Sequence, residues 1–244
     1  MPTVPDQQDP PQPQPDPPVP AGRAPVAVRP AWILGPLLVL FALLTWQAAV
    51  NTPVRRADER LAEAIAGSRL PEGAAEFLAD LGNVTVAVPV LLAVAAYVAW
   101  RALRAALPRW WLPPLAALTA MAAVPVLVVP LKEAVGRTGP PGMAGDGYYP
   151  SGHTATAAVA YGAAVLLLLP WLHNRYLRRE LAIACLVLVA AVSYGLIRRG
   201  YHWPLDVAGS WCLSLILLHL MASAVARYGR GPVRRPSAAL CSRG

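Results

Sequence analysis

"GYYPSGHTATAAVAYGAAVLLLLPWL", residues 147–172, sets a tight polar turn directly against a long apolar run. From residue 153 to residue 172 the run is long enough to cross a hydrocarbon core of about 30 Å, which takes roughly 17–25 helical residues. A membrane helix usually opens on an interfacial anchor such as Trp, Tyr or Arg. This one opens on Pro150-Ser151-Gly152-His153. Reading the stretch as a membrane span decides the fold, and it turns the histidine at its edge into a question about what else lies at that depth.

Five further runs have the same character: 31–50, 84–100, 111–131, 180–197 and 204–226. With 56% hydrophobic and 14% charged residues, the composition is too apolar for a soluble domain of this size. The run at 84–100 is short and contains Pro89, which a neighbouring helix can accommodate. Between the first two runs, "RRADERLAEAIAGSRL" and "PEGAAEFLADLG" read as short amphipathic helices lying at the membrane interface. The expected fold is therefore all-α: a polytopic bundle of six transmembrane helices with short interfacial helices between spans one and two. The membrane domain covers residues 31–226. Residues 1–30, with eleven prolines and no aromatic residue, form an expected disordered tail with nothing removed as a secretory signal. Residues 227–244 form a basic tail.

Charge gives the bundle a sidedness. If the N-terminus is cytoplasmic, the segments on its side hold 13 Lys/Arg and the opposite side holds 8. The acidic residues divide four to nine in the reverse sense, so both counts place the two termini in the cytoplasm. The net charge of +8 is then mostly this bias and calls for no nucleic acid. Three scattered cysteines give neither a disulfide framework nor a metal-binding spacing. Lysine occurs once, at Lys132, against twenty arginines, a skew that with the many Ala, Pro and Gly suggests a GC-rich bacterial genome.

That parity puts the end of span three, the start of four, the end of five and the start of six on the outward face. At those places stand Lys132, Pro150-Ser151-Gly152-His153, Arg198-Arg199 and His202-Trp203-Pro204-Leu205-Asp206. Ionisable residues at membrane depth are costly and usually functional. Ser151 suits the N-cap of span four, where free N–H groups and the helix dipole make an anion pocket that Gly152 leaves open to a ligand. The same serine is also what an ordinary cap looks like. Pro204 suits the first turn of span six, and Asp206 lies four residues after His202, in reach to fix its tautomer and free the other nitrogen for attack. An interfacial His-Trp anchor would give the same pattern. Together the groups suggest phosphoryl transfer without metal: cations for the oxygens, one histidine as nucleophile, the other as acid for the leaving group. His173 and His219 have no such partners and read as structural.

These residues resemble the type-2 phosphatidic acid phosphatase family, related in fold to the vanadium haloperoxidases. Its motifs are Lys, six residues, Arg-Pro; Pro-Ser-Gly-His; and Ser-Arg, five residues, His, three residues, Asp. The second is complete here, while Lys132, Pro140, His202 and Asp206 match parts of the others over a core of about residues 75–226. The resemblance implies that His202 is the nucleophile with Asp206 as its partner, and that His153 is the general acid. It implies phosphate binding by Lys132, Ser151 and Gly152, no cofactor, and a lipid phosphate or prenyl diphosphate as substrate. Composition and the charge count set the expected place: a bacterial cytoplasmic membrane with the site facing outward.

Both motif arginines are displaced. Gly139 and Leu196 occupy their positions, with Arg137, Arg198 and Arg199 nearby. Losing one preorganised oxyanion donor costs about 2.7–4 kcal/mol. Either the shifted arginines reach the phosphate, Arg198 through a helix extended toward His202, or the chain binds a lipid phosphate head group without turning it over. A transport or structural bundle is a third reading, disfavoured by a polar cluster at one surface and the lack of an internal repeat. No protein partner is identified by the sequence.

Overall fold

The computed structural model describes residues 31–228; both expected tails lie outside the described residues, apart from Arg227 and Tyr228. A 3-10 turn, Ala31–Ile33, leads into α1 (Leu34–Ala49). Then come α2 (Pro53–Ala66), α3 (Glu72–Asp80), α4 (Val84–Arg104), α5 (Leu112–Val135), α6 (Gly152–Leu168), α7 (Arg175–Arg198) and α8 (Pro204–Tyr228). Among the described residues there is no strand.

Local chemistry sets the helix boundaries. The Thr52 hydroxyl accepts from the Arg55 N–H ahead of α2, with Pro53 in its first turn; Asn83 and Asn174 cap α4 and α7 in the same way. Each such cap is worth about 1 kcal/mol, and proline is favoured where a helix has no use for its missing N–H. At its far end α5 stops on Gly136, whose φ of +56° an L side chain tolerates poorly. Inside α4, Pro89 is absorbed without a break.

Five helices, α4 to α8, are long and apolar enough to span a membrane, α6 together with the 3-10 turn Leu169–Trp171 that continues it. The first span is the exception. With 16 residues α1 passes only together with α2, and the two are bent by 82°. The membrane part is thus five spans, or six with the bent pair. Leu43, Val126 and Val187 are exposed apolar side chains of the kind that face lipid. The expected interfacial helices are present as α2 and α3, but α3 packs along α7 while α2 lies against α7 and α8.

At the centre stands α6, packed by α4, α5, α7 and α8. Its membrane window is 61% buried in the protein, against 28% for α4. Small residues make this possible: Ala155, Ala157, Ala160, Ala163 and Ala164 are all buried. At Gly162 an added Cβ would come within 2.5 Å of Leu218 on α8. In lipid, where helices gain nothing from hiding apolar surface, such close backbone approach is the main source of attraction. The loop between α5 and α6 and the turn between α7 and α8 then meet at one end of this central pair.

Candidate functional site

Ser151 does what a capping serine should and more. Its Oγ accepts from the Thr154 N–H at 3.3 Å. Its own N–H donates to the Asp206 carbonyl at 3.2 Å, and its carbonyl accepts from Ser210 Oγ at 2.8 Å. The start of α6 is thereby fastened to the first turns of α8. Tyr149 completes the joint: its ring covers Gly209, where a Cβ would lie 2.4 Å from the phenol oxygen, and its hydroxyl meets Thr45 Oγ1 at 2.9 Å. Burial pushes the Tyr149 hydroxyl up to about 12, so it is neutral. Around Gly152 there is open space, and the N–H groups of Gly152 and His153 have no acceptor among the described residues. Thr154 Oγ1 is buried without a partner.

The α7–α8 turn is built by Gly200, at φ +68°, and by the Tyr201 N–H bonding back to the Leu196 carbonyl. The helix therefore ends at Arg198 and does not continue toward His202, so these two residues do not share a helical face as the extended reading required. Past the turn, His202 Nδ1 lies 3.4 Å from Asp206 Oδ2, which also accepts the Trp203 N–H at 3.0 Å. With Nδ1 turned to the carboxylate, Nε2 is the nitrogen left for chemistry. The Tyr148 ring meets the His202 imidazole edge-on at 5.9 Å.

Asp206 has a second task. Its Oδ1 accepts from one terminal nitrogen of Arg137 at 2.7 Å, and the other terminal nitrogen reaches Asp58 Oδ2 at 2.5 Å. The free Asp58 oxygen takes the Leu205 N–H at 2.7 Å, capping α8 from outside its own chain segment. Trp203 lies 5.4 Å from the guanidinium and ties its indole N–H to the Thr138 carbonyl. The Arg137 carbonyl holds the N–H groups of Gly147 and Tyr148. All three charged side chains are buried. Burial pushes the Asp58 carboxyl up, while the Arg137 guanidinium and the Leu205 amide pull it back.

Asp58 was not among the residues expected from sequence. Its signal was present all the same: Asp58, Ala62 and Ile65 fall on one helical stripe, and Ala62 and Ile65 join Trp203, Ile197 and Val207 in a small apolar cluster. A carboxylate in line with an apolar stripe is a buried carboxylate, and it needs a cation.

The remaining cations divide. Lys132 is half-buried and feels the Asp206 carboxylate. His153 is exposed, and it lies within electrostatic reach of His202, Lys132 and Asp80. Arg199 is committed elsewhere, at 2.6 Å from Glu76 and 3.3 Å from Glu72 on α3. The Tyr201 hydroxyl and Arg199 hold Glu76 below the usual carboxylate range. Arg198 has no carboxylate partner among the described residues, and its Nε is buried and unpartnered. The two positions where the resemblance expected arginine are closed. A Cβ on Gly139 would lie 2.6 Å from the Tyr148 ring, and Leu196 is 1% exposed in the core.

The PAP2 superfamily model matches residues 113–230, which include Lys132, Arg137, Ser151, Gly152, His153, Arg198, Arg199, His202 and Asp206 but not Asp58. The fold is similar to that of a crystal structure of a transmembrane PAP2-type phosphatidylglycerolphosphate phosphatase from Bacillus subtilis. The TM-score is 0.70 at 22% identity, over 80% of this chain and 96% of that one. No curated protein matches the sequence.

Proposed function

We propose, for a chain that over residues 113–230 belongs to the PAP2 superfamily, that this cluster hydrolyses a lipid phosphomonoester or diphosphate through a phosphohistidine intermediate. His202 Nε2 attacks phosphorus, the bond to the lipid oxygen breaks, and His153 gives that oxygen its proton. Water then attacks the phosphohistidine with its proton returning to His153, the P–N bond breaks, and phosphate leaves. Lys132, Arg198 and the N–H groups of Gly152 and His153 hold the phosphate oxygens, with Ser151 shaping the turn that presents them. Arg137 and Arg199 can join only by leaving their carboxylates. The site faces outward in a bacterial cytoplasmic membrane with both termini inside, and the substrate enters sideways from the bilayer.

One observation carries this reading: three separate parts of the chain bring Lys132, His153 and the His202–Asp206 pair together. Lys132 is in electrostatic reach of Asp206 and His153 in reach of Lys132 and His202, with the His202 Nδ1 turned to the carboxylate so that Nε2 is free. The test is phosphate release by detergent-purified protein from phosphatidylglycerolphosphate, phosphatidic acid and a prenyl diphosphate. Wild type should turn over at least one, and His202→Ala none. Equal release from both proteins sinks catalysis.

A second reading, a lipid-phosphate binder without turnover, is favoured by the commitment of Arg137 to two carboxylates and by the closure of positions 139 and 196. That closure also disqualifies an obvious rescue. Gly139→Arg would displace the Tyr148 ring and Leu196→Arg would bury a charge, so neither restores a phosphate ligand. Saturable binding of a lipid phosphate by a protein lacking turnover would select this reading.

A further inference from the structure

We infer that Asp58, on α2 and outside the family's matched segment, is a positioning residue for His202, and that it acts by dividing the Arg137 fork. This rests on the reading of His202 as the nucleophile.

A guanidinium prefers to meet one carboxylate with two parallel bonds. Here it does not. One terminal nitrogen is held by Asp58 at 2.5 Å, so Asp206 spends only Oδ1 on Arg137 and keeps Oδ2 for His202 Nδ1 and the Trp203 N–H. Without the Asp58 carboxylate, the fork closes on both Asp206 oxygens and competes with the imidazole for Oδ2. The 3.4 Å contact to His202 is the longest of the set and is the first to yield. The groups that face this ring are few. Tyr148 comes from the α5–α6 loop, His153 from α6 and Asp206 from α8, with Lys132 of α5 and Arg137 acting on Asp206. None of them replaces Asp58 as the second anchor of the fork.

The substitution Asp58→Asn keeps the shape and one acceptor while removing the charge. Two readouts separate positioning from simple loss of structure. In ¹⁵N-histidine-labelled full-length protein at alkaline pH, the four histidines give four ring systems, and the one lost in His202→Gln is His202. Wild type should hold this ring as the Nδ1–H tautomer, and Asp58→Asn should add the Nε2–H form. In the phosphate-release assay, kcat should fall between about ten- and a hundred-fold with KM within about two-fold.

Adding Arg137→Gln to Asp58→Asn removes the competitor. It should return the Nδ1–H tautomer and raise kcat above that of Asp58→Asn alone. A His202 tautomer unchanged in Asp58→Asn overturns the inference, as does a folded double variant that is worse than Asp58→Asn in both readouts. If the double variant does not fold, the tautomer in Asp58→Asn decides alone. If wild type has no turnover, the reading of the reaction fails while the tautomer still judges the role of Asp58.

Discussion

The floor of the site and its mouth are built on opposite terms. In the floor, Asp58, Arg137 and Asp206 are buried, and every charged oxygen and nitrogen except Arg137 Nε has a partner. At the mouth, His153 is exposed, Lys132 half-buried, and Arg198 carries a buried nitrogen with none. Groups that satisfy one another hold structure; groups left unsatisfied wait for a ligand. The first kind should fail by unfolding when altered and the second by losing affinity or rate.

Arg137→Leu attacks the floor and should have the largest effect. It leaves two buried carboxylates without their cation, a loss of about 3–5 kcal/mol, seen as a large fall in melting temperature in detergent. Lys132→Met and Arg198→Gln attack the mouth. Each should lower kcat/KM by about 10²–10³ while the melting temperature stays near that of wild type. If Arg198→Gln destabilises the protein as much as Arg137→Leu does, the contrast is lost. Tyr149→Phe tests the joint between the two regions. It removes the bond to Thr45 and should cost about 1 kcal/mol, again read by melting.

The smallest effect concerns α3. Because Glu76 is held below its ordinary range, the stability it contributes is fully present above the unfolded-chain value, about 4.3, and is lost as pH falls through the lower folded-state value. Glu76→Gln should therefore differ slightly from wild type at neutral pH and converge with it in acid. Glu76 lies near the surface, where solvent screens the link, so the difference stays small.

What could be read from the sequence was what lies close along the chain. Ser151 as a cap, Pro204 at a helix start and Asp206 one turn after His202 are relations of three or four residues, which helical geometry fixes in advance. The stop before His202 was also local. Gly200 marks the end of α7, but the four-residue interval from Arg198 to His202 invited a continuous helix instead. The membrane character of the bundle was legible from apolar length, except that α1 turns sharply into α2. The Asp58–Arg137 pair was not legible, because the two residues lie 79 positions apart and only packing brings them together. Its one local trace was a carboxylate on an apolar stripe.

The late arrival of α8 has a consequence for biosynthesis. Asp58 and Arg137 are translated well before Asp206 and Leu205, so until the last helix enters the bilayer the Arg137 fork is half empty and Asp58 has no N–H to cap. A nascent chain halted before residue 204 thus holds an incompletely paired charge in an otherwise apolar bundle, and only the last helix supplies the groups that satisfy it.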